Sequence, residues 1–441
     1  MTRGRTILAF DNTTIGVIGV IVMLVLMFLR VPVAFSLITV GFVGYYLVVG
    51  YKPAMNVITN TFYSNFSNYS LSAVPLFILM GYFAHYTGIV NDLFDTCRKW
   101  IGHTKGGLIQ ATILGGAAFG AISGSSFAST ATLSKICIPV MLNNGVDRRM
   151  AYGTVASVGP LASMIPPSVL MIVIGIATNM NIGKLLIGGI GPGVLAAICY
   201  MILVYILCSR NPSLAPPIGK VPLREKILSL RKIWLFLLVM LIIIVGIYTG
   251  TFTPTEAGAV GAFIVFIIFL VKNGLNWKII VSCVLETLTT TSSIFLLMGG
   301  AFLFSNFLTV SKLTGAMSDF MVNLPVPPVV VLLGVIVMYL IIGCFMDLVA
   351  AMFITLPIVF PAITAIGYDP VWFCVLLAFL AEVSGVTPPF GLQLFIIRGS
   401  VAGSTMKDIY TGALPFIVMD LIIIAILILF PAIITYLPSR L

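Results

Sequence analysis

Residues 162–170 read ASMIPPSVL and residues 384–392 read SGVTPPFGL, two double prolines 222 positions apart, each inside a long apolar run. Adjacent prolines remove two amide donors and obstruct the preceding turn, so a helix that carries them must unwind there. The same offset places Pro139 on Pro361, Gly145 on Gly367, Asp147 on Asp369 and Leu170 on Leu392 without a gap. With the offset altered to 218, PLFILMG from Pro75 is echoed by SIFLLMG from Ser293. Chance supplies one or two such matches, not a double proline together with a Pro, Gly, Asp series. The chain reads as a duplicated unit.

Composition says where these units reside. Of 441 residues, 60% are apolar and 8% charged, against about 25% charged in an ordinary soluble domain. That excludes a soluble enzyme, and at about 20 residues per crossing the length has room for roughly ten to fourteen spans. The net charge of +10 comes from basic residues scattered between apolar runs. This is the positive-inside bias of a multi-pass membrane protein and not a nucleic-acid patch. The seven cysteines form no CxxC pair and mostly lie within apolar stretches, so they read as small buried side chains rather than disulfides or metal ligands. Arg3 and Arg5 precede an apolar run from Ile15 to Leu29. No small-residue cleavage site follows and a second run begins at Val33, so the segment reads as a retained span.

The most polar stretch, residues 209–232, carries Arg210, Lys220, Arg224, Lys226, Arg231 and Lys232 against the single acid Glu225. It reads as a basic cytoplasmic linker between a first repeat, 1–208, and a second, 233–441. Equivalent loops then report orientation. Asn143 to Met150 contains Arg148 and Arg149, while its mate, Ala365 to Trp372, has no basic residue; Asn91 to Lys105 has three, whereas Leu308 to Leu324 has only Lys312. The first-half loops are expected in the cytoplasm and the second-half loops opposite, so the repeats are inverted. If 107–142 and 329–363 are re-entrant hairpins, each half crosses five times, and the odd number inverts the second half. This count puts Lys272, Lys278, Arg398 and Lys407 in the cytoplasm and the N-terminus outside.

Inverted repeats with discontinuous helices are the plan of secondary transporters, which hold substrate and ion where backbone groups are freed near the midplane. The expected fold class is therefore an all-α polytopic membrane protein with two inverted-topology repeats, each with a re-entrant hairpin (107–142 and 329–363) and a broken helix (151–180 and 371–397). In the first hairpin, Leu114 to Leu133 reads LGGAAFGAISGSSFASTATL, too small and polar to face lipid. Ser123, Gly124, Ser125 and Ser126 form its tip, where hydroxyls and open carbonyls suit a hard cation such as sodium; a close helix-packing surface is the other reading. The second hairpin breaks at IGCFMDLVA, residues 342–350, where Asp347 aligns with Ser125. A carboxylate at the bilayer centre costs about 2.5–3.5 kcal/mol on insertion scales. Bound sodium or a basic neighbour such as Arg398 would compensate it.

Other polar residues carry weaker signals. Glu256, in TPTEAG, stands at a helix start and suits a helix-dipole role. Arg398 reads as the cytoplasmic end of its helix or as a contact for an anionic substrate. Glu382, Asp420 and Glu286 lie in or beside apolar runs and face protein or aqueous crevices. His85 and His103 have no partner at metal spacing, and no Walker A sequence offers a site for ATP. An intramembrane enzyme would need a base near a nucleophile, and no His or second acid adjoins the serine cluster in sequence. A passive channel would show unsaturable flux, whereas two broken-helix sites predict saturation.

The stretches GAISGSSFASTATL, ASMIPPS, TPTEAGA, MDLVAAMFITLPIVFP and GVTPPFGLQLF together resemble the large membrane (M, DctM-like) subunit of tripartite ATP-independent periplasmic (TRAP) transporters, over almost the whole chain. The resemblance implies an elevator-type carrier, not an enzyme, in the bacterial inner membrane. Such a carrier takes an organic anion, such as a C4-dicarboxylate or sialic acid, from a periplasmic substrate-binding protein and couples uptake to sodium; a proton-coupled carrier of the same fold is the alternative. It also implies a small four-helix membrane subunit as partner, and no tightly bound cofactor. Carried onto this sequence, it places Ser123, Gly124, Ser125, Ser126, Ser163, Pro166 and Pro167 around one sodium ion. Phe345, Asp347, Gly385, Thr387, Pro388 and Pro389 surround the other. The anion lies between the tips, with Ser126, Pro167, Pro389 and Arg398 as its candidate contacts.

Overall fold

Apolar segments in hydrocarbon satisfy their amides only within helices or closed barrels. Helices are what this chain forms, with no strand among the residues that the computed structural model describes: 11–345, 348–389 and 391–441. The first half comprises α1 (Asn12–Phe28), α2 (Val33–Val49), α3 (Tyr51–Phe66), α4 (Ala73–Tyr86), α5 (Ile89–Ile101), α6 (Gly107–Ser123), α7 (Ser126–Asn143), α8 (Arg148–Met164), α9 (Val169–Thr178), α10 (Ile182–Gly188) and α11 (Ile190–Arg210). The second comprises α12 (Leu223–Tyr248), α13 (Pro254–Asn273), α14 (Trp277–Val310), α15 (Leu313–Val322), α16 (Pro328–Phe345), α17 (Leu348–Ala365), α18 (Pro370–Ser384), α19 (Leu392–Ser400) and α20 (Met406–Leu429). The fold class is the all-α polytopic one expected from the sequence. Arg3 and Arg5 lie outside the described residues.

Five helical runs among the described residues are long and apolar enough to cross a bilayer, or up to seven if the bent pairs α3–α4 (53°) and α8–α9 (49°) each count as one span. Length alone has room for more. Much of the remainder is taken by shorter apolar helices, among them α6, α16, α17 and α18. Three elements escaped the sequence reading. The segment YKPAMNVITNTFYSNF of α3 is too polar to register as an apolar run, yet it is helical and mostly exposed, with Ala54 and Thr61 buried. The segments 91–105 and 308–324, read as loops, hold the short helices α5 and α15. In α5 an apolar face of Ile89, Val90, Leu93 and Phe94 is buried, with Asp92 in the first turn and Arg98 and Lys99 in the last, a charge order that suits the helix dipole.

The basic stretch 209–232 is divided. Residues 209–210 end α11, residues 211–222 connect the halves, and residues 223–232 open α12. This connection is tied to two first-half loops: the Asp147 amide donates to the Leu214 carbonyl at 2.8 Å and the Ile218 amide to the Gly102 carbonyl at 3.0 Å. Lys272 at the end of α13 pairs with Asp92 at 2.7 Å, and Arg149 with Asp408 at 3.4 Å. One face of the molecule thus gathers the basic loops. On it, burial pushes the Asp95 carboxyl up, but hydrogen bonds from Lys99 and Arg98 outweigh this and hold it below the usual carboxylate range.

At the centre lie the two broken helices, with Met150–Met164 of α8 and Trp372–Ser384 of α18 buried throughout. Small residues let α8 approach its neighbours. A Cβ added at Gly153 would lie 1.9 Å from the Gly412 carbonyl oxygen of α20, and one at Gly120 of α6 would lie 2.1 Å from Ala162 Cα. Backbone cannot yield as a flexible side chain can, and overpacking of a tight core costs about 1–3 kcal/mol or more. Gly153→Ala is therefore expected to lower the melting temperature and the yield of monodisperse protein. Gly315→Ala, where a Cβ meets nothing within 4 Å, leaves both unchanged; equal melting temperatures for the two variants would contradict the crossing.

Candidate functional site

Each hairpin tip and each helix break has to terminate two helices inside the protein. At the first tip Gly124 adopts φ +61°, ending α6, and Ser125 caps α7 by accepting from the Ala128 amide at 3.4 Å. Ser123 is turned inward, its Oγ 2.7 Å from Ser129 Oγ. At the first break, Ser168 caps α9 by accepting from the Met171 amide at 3.3 Å. The tip and the break meet: the Val169 amide donates to the Gly124 carbonyl at 3.4 Å. A Cβ at Gly124 would lie 3.0 Å from the Pro167 carbonyl oxygen, so glycine serves both the positive φ and the close approach.

The second break closes on itself. The Gln393 amide donates to the Gly385 carbonyl at 3.1 Å, and Thr387 Oγ1 donates to the Val383 carbonyl at 2.8 Å. Both Pro166–Pro167 and Pro388–Pro389 are cis, and the Pro389 carbonyl accepts from Tyr410 of α20 at 2.8 Å. Two contacts then join the halves. Ser163 Oγ, at the end of α8, donates to Glu382 of α18, and Thr130 Oγ1 of α7 donates to the side-chain carbonyl of Gln393 in α19. Gly159 makes room for the second pair, since a Cβ there would lie 1.8 Å from Thr130 Oγ1.

Between these elements lies a cavity of about 470 Å³, lined by Gly124, Ser125, Ser126, Ser163, Glu382, Ser384, Gly385 and Gln393, with Thr289, Thr290 and Ser293 of α14 on its other wall. Its size falls in the range of small-molecule sites, about 300–1,000 Å³. Ser126, Val169, Val349 and Leu392 bring the N-termini of α7, α9, α17 and α19 to this wall. The positive ends of the helix dipoles favour an anion there, while the ends of α6, α8 and α18 offer carbonyl oxygens to a cation. Among the described lining residues Glu382 is charged and none is basic.

A family model described as "Tripartite ATP-independent periplasmic transporter, DctM component" matches residues 20–433. The chain belongs to this DctM family. The C4-dicarboxylate TRAP transporter large permease protein DctM of Pseudomonas aeruginosa is 35% identical over 373 residues, 84% of this chain and 87% of that protein. The sialic acid TRAP transporter large permease protein SiaM of Vibrio cholerae is 30% identical over 415 residues, 94% and 96%. Among solved structures, the YdaH transporter of Alcanivorax borkumensis, described as having an unusual topology, matches with a TM-score of 0.60 at 15% identity, covering 87% of this chain and 89% of its own; that likeness concerns the fold alone. This DctM chain is thus a TRAP transporter large permease of the bacterial inner membrane, and its relatives are named as permeases, not enzymes.

In the DctM chain the cavity brings together Gly124, Ser125, Ser126, Ser163 and Gly385 of the residues picked out in the sequence. Pro166 and Pro167 form the adjoining break, and Thr387, Pro388 and Pro389 the other; none of these five lines the cavity. Phe345 is the last residue of α16, and Asp347 lies outside the described residues. Arg398, in the last turn of α19, is directed elsewhere and donates to the Ser404 carbonyl beyond the helix. Glu256 forms a capping box with Thr253, Tyr86 donates to Glu286 at 3.3 Å, and His85 Nδ1 lies 2.9 Å from Thr132 Oγ1. Asp420 accepts from Tyr200 of α11, away from the cavity.

The sequence marked Glu382 only as an acid in or beside an apolar run, and it singled out neither Thr130 nor Gln393 within their motifs. Their signal was a polar side chain within about one turn to two turns of a tip or break. Gln393→Leu keeps the volume but strands the buried Thr130 hydroxyl, at a cost of about 1–3 kcal/mol. It is expected to lower the melting temperature, with part of the loss recovered in the Thr130→Val, Gln393→Leu double variant. Strictly additive losses would show that the pair does not couple.

Proposed function

We propose that this permease imports a small organic anion, of the carboxylate class, together with sodium. The observation that carries the reading is the charge pattern of the cavity. Four helix N-termini face a space that holds a carboxylate and, among its described lining residues, no basic side chain. An anion there is held by backbone N–H groups, and its charge beside Glu382 is best balanced by a cation that travels with it. The hydroxyl and carbonyl oxygens at the first tip and break, from Ser123 to Ser126 and at Ser163, suit a hard cation such as sodium; Gly385, Thr387 and Pro388, with Phe345 and Asp347, are the corresponding second set.

The relatives' named cargoes, a C4-dicarboxylate and sialic acid, support the carboxylate class. We further infer that the halves are inserted in opposite directions. The hairpins and broken helices then move as one body past α1–α5 and α12–α15, carrying the cavity from one side to the other. The gathering of the basic loops on one face supports this orientation. A small four-helix membrane subunit and a periplasmic binding protein complete the assembly, the latter delivering the anion.

In proteoliposomes containing the permease, the small subunit and an external binding protein, an inward sodium gradient is expected to raise uptake of the labelled carboxylate at least tenfold over a choline control. Equal uptake in the two would overturn the coupling.

A further inference from the structure

The first hairpin tip has no charge of its own. Under the 222-residue offset Ser125 stands where the second tip has Asp347, so the first tip presents only hydroxyls and carbonyl oxygens. The fold brings a carboxylate to it from the other half. Glu382, in the last turn of α18 and 8% exposed, lines the same cavity as Ser125 and Ser126, and it accepts from Ser163 Oγ at the first break. The offset places Glu382 on Pro160, so this carboxylate has no counterpart in the first half.

We propose that Glu382 is the anionic ligand of the cation site formed by the first tip and the first break. The inference rests on the sodium-coupled reading above and assigns its charge. Ser163 has one hydroxyl proton, placed to reach either the Pro160 carbonyl at 3.0 Å or Glu382. Its lone pairs stay available to a cation, and a carboxylate has room on its two oxygens to accept a hydrogen bond and bind an ion together. A cation seated there touches the ends of α6 and α8 and the end of α18 at once, so it locks the first repeat's tip and break to the second repeat's broken helix. Its charge then lies between Glu382 and the anion held at the N-termini of α7 and α9. Occupation of the cation site thereby prepares the anion site, which makes the two bind in order.

The test is a calorimetric titration of sodium chloride, against choline chloride at constant ionic strength and pH, into the purified full-length protein, paired with melting temperatures in choline. Glu382→Gln is expected to raise the half-saturating sodium concentration at least tenfold, and Glu382→Asp, which withdraws the carboxylate by one methylene, severalfold. Wild-type sodium affinity in Glu382→Gln, even with a lowered melting temperature in choline, would assign Glu382 a purely structural role and overturn the proposal. Should Glu382→Gln fail to fold, unchanged affinity in Glu382→Asp overturns it equally. Absence of saturable sodium binding by the wild type defeats the coupled reading itself, whereas equal binding by wild type and variant defeats this inference alone.

Discussion

A peptide group in hydrocarbon has to find its hydrogen bond within the protein, and every interruption of a helix at mid-membrane frees several such groups at once. The architecture of this chain follows from how those groups are answered. Gly124 and Ser125 end one helix and cap the next, Ser168 caps the helix beyond the first double proline, and the Val169 amide is satisfied by the Gly124 carbonyl of the tip. A tip and a break that complete each other in this way need no solvent. They leave other carbonyls, hydroxyls and helix N-termini directed at a common space.

That space acquires its chemistry because both halves contribute to it. The first repeat supplies small residues and hydroxyls, and the second supplies Glu382 and Gln393, each hydrogen-bonded to a residue of the first. Rigid neighbours fix the geometry: where α8 crosses α6 and α20, the contact is backbone against backbone at Gly120 and Gly153. Such crossings leave little freedom for one element to shift alone. They hold the hairpin helix α6 and the broken helix α8 together as one packed unit around the cavity.

The sequence disclosed those parts of the design that rest on local chemistry. Double prolines oblige a helix to stop wherever they occur, and a glycine-serine cluster without charge suits neither lipid nor an ordinary loop, so both breaks and the first tip could be located from the chain alone. The helix α5 was hidden because only one of its faces is apolar and buried, and α3 because it is polar and mostly exposed; a reading by apolar runs sees neither. Glu382, Gln393 and Thr130 were hidden for a different reason. Their roles depend on which residue of one half stands opposite which residue of the other, and no local pattern records that. Arg398, for which the sequence offered either the end of its helix or a substrate contact, stands in the last turn of α19 and donates to the Ser404 carbonyl just beyond that helix.

We infer that the two halves of the duplicated unit enter the membrane in opposite directions, with their breaks beside a single cavity. The most direct measurement of this is sided labelling of single cysteines placed at Asn144, which follows the first hairpin, and at Ile366, its mate after the second, in a protein whose seven native cysteines have been replaced. With opposite insertion, a membrane-impermeant maleimide added outside intact cells modifies position 366 and spares position 144 until the membrane is opened. Modification of both from the same side would contradict it.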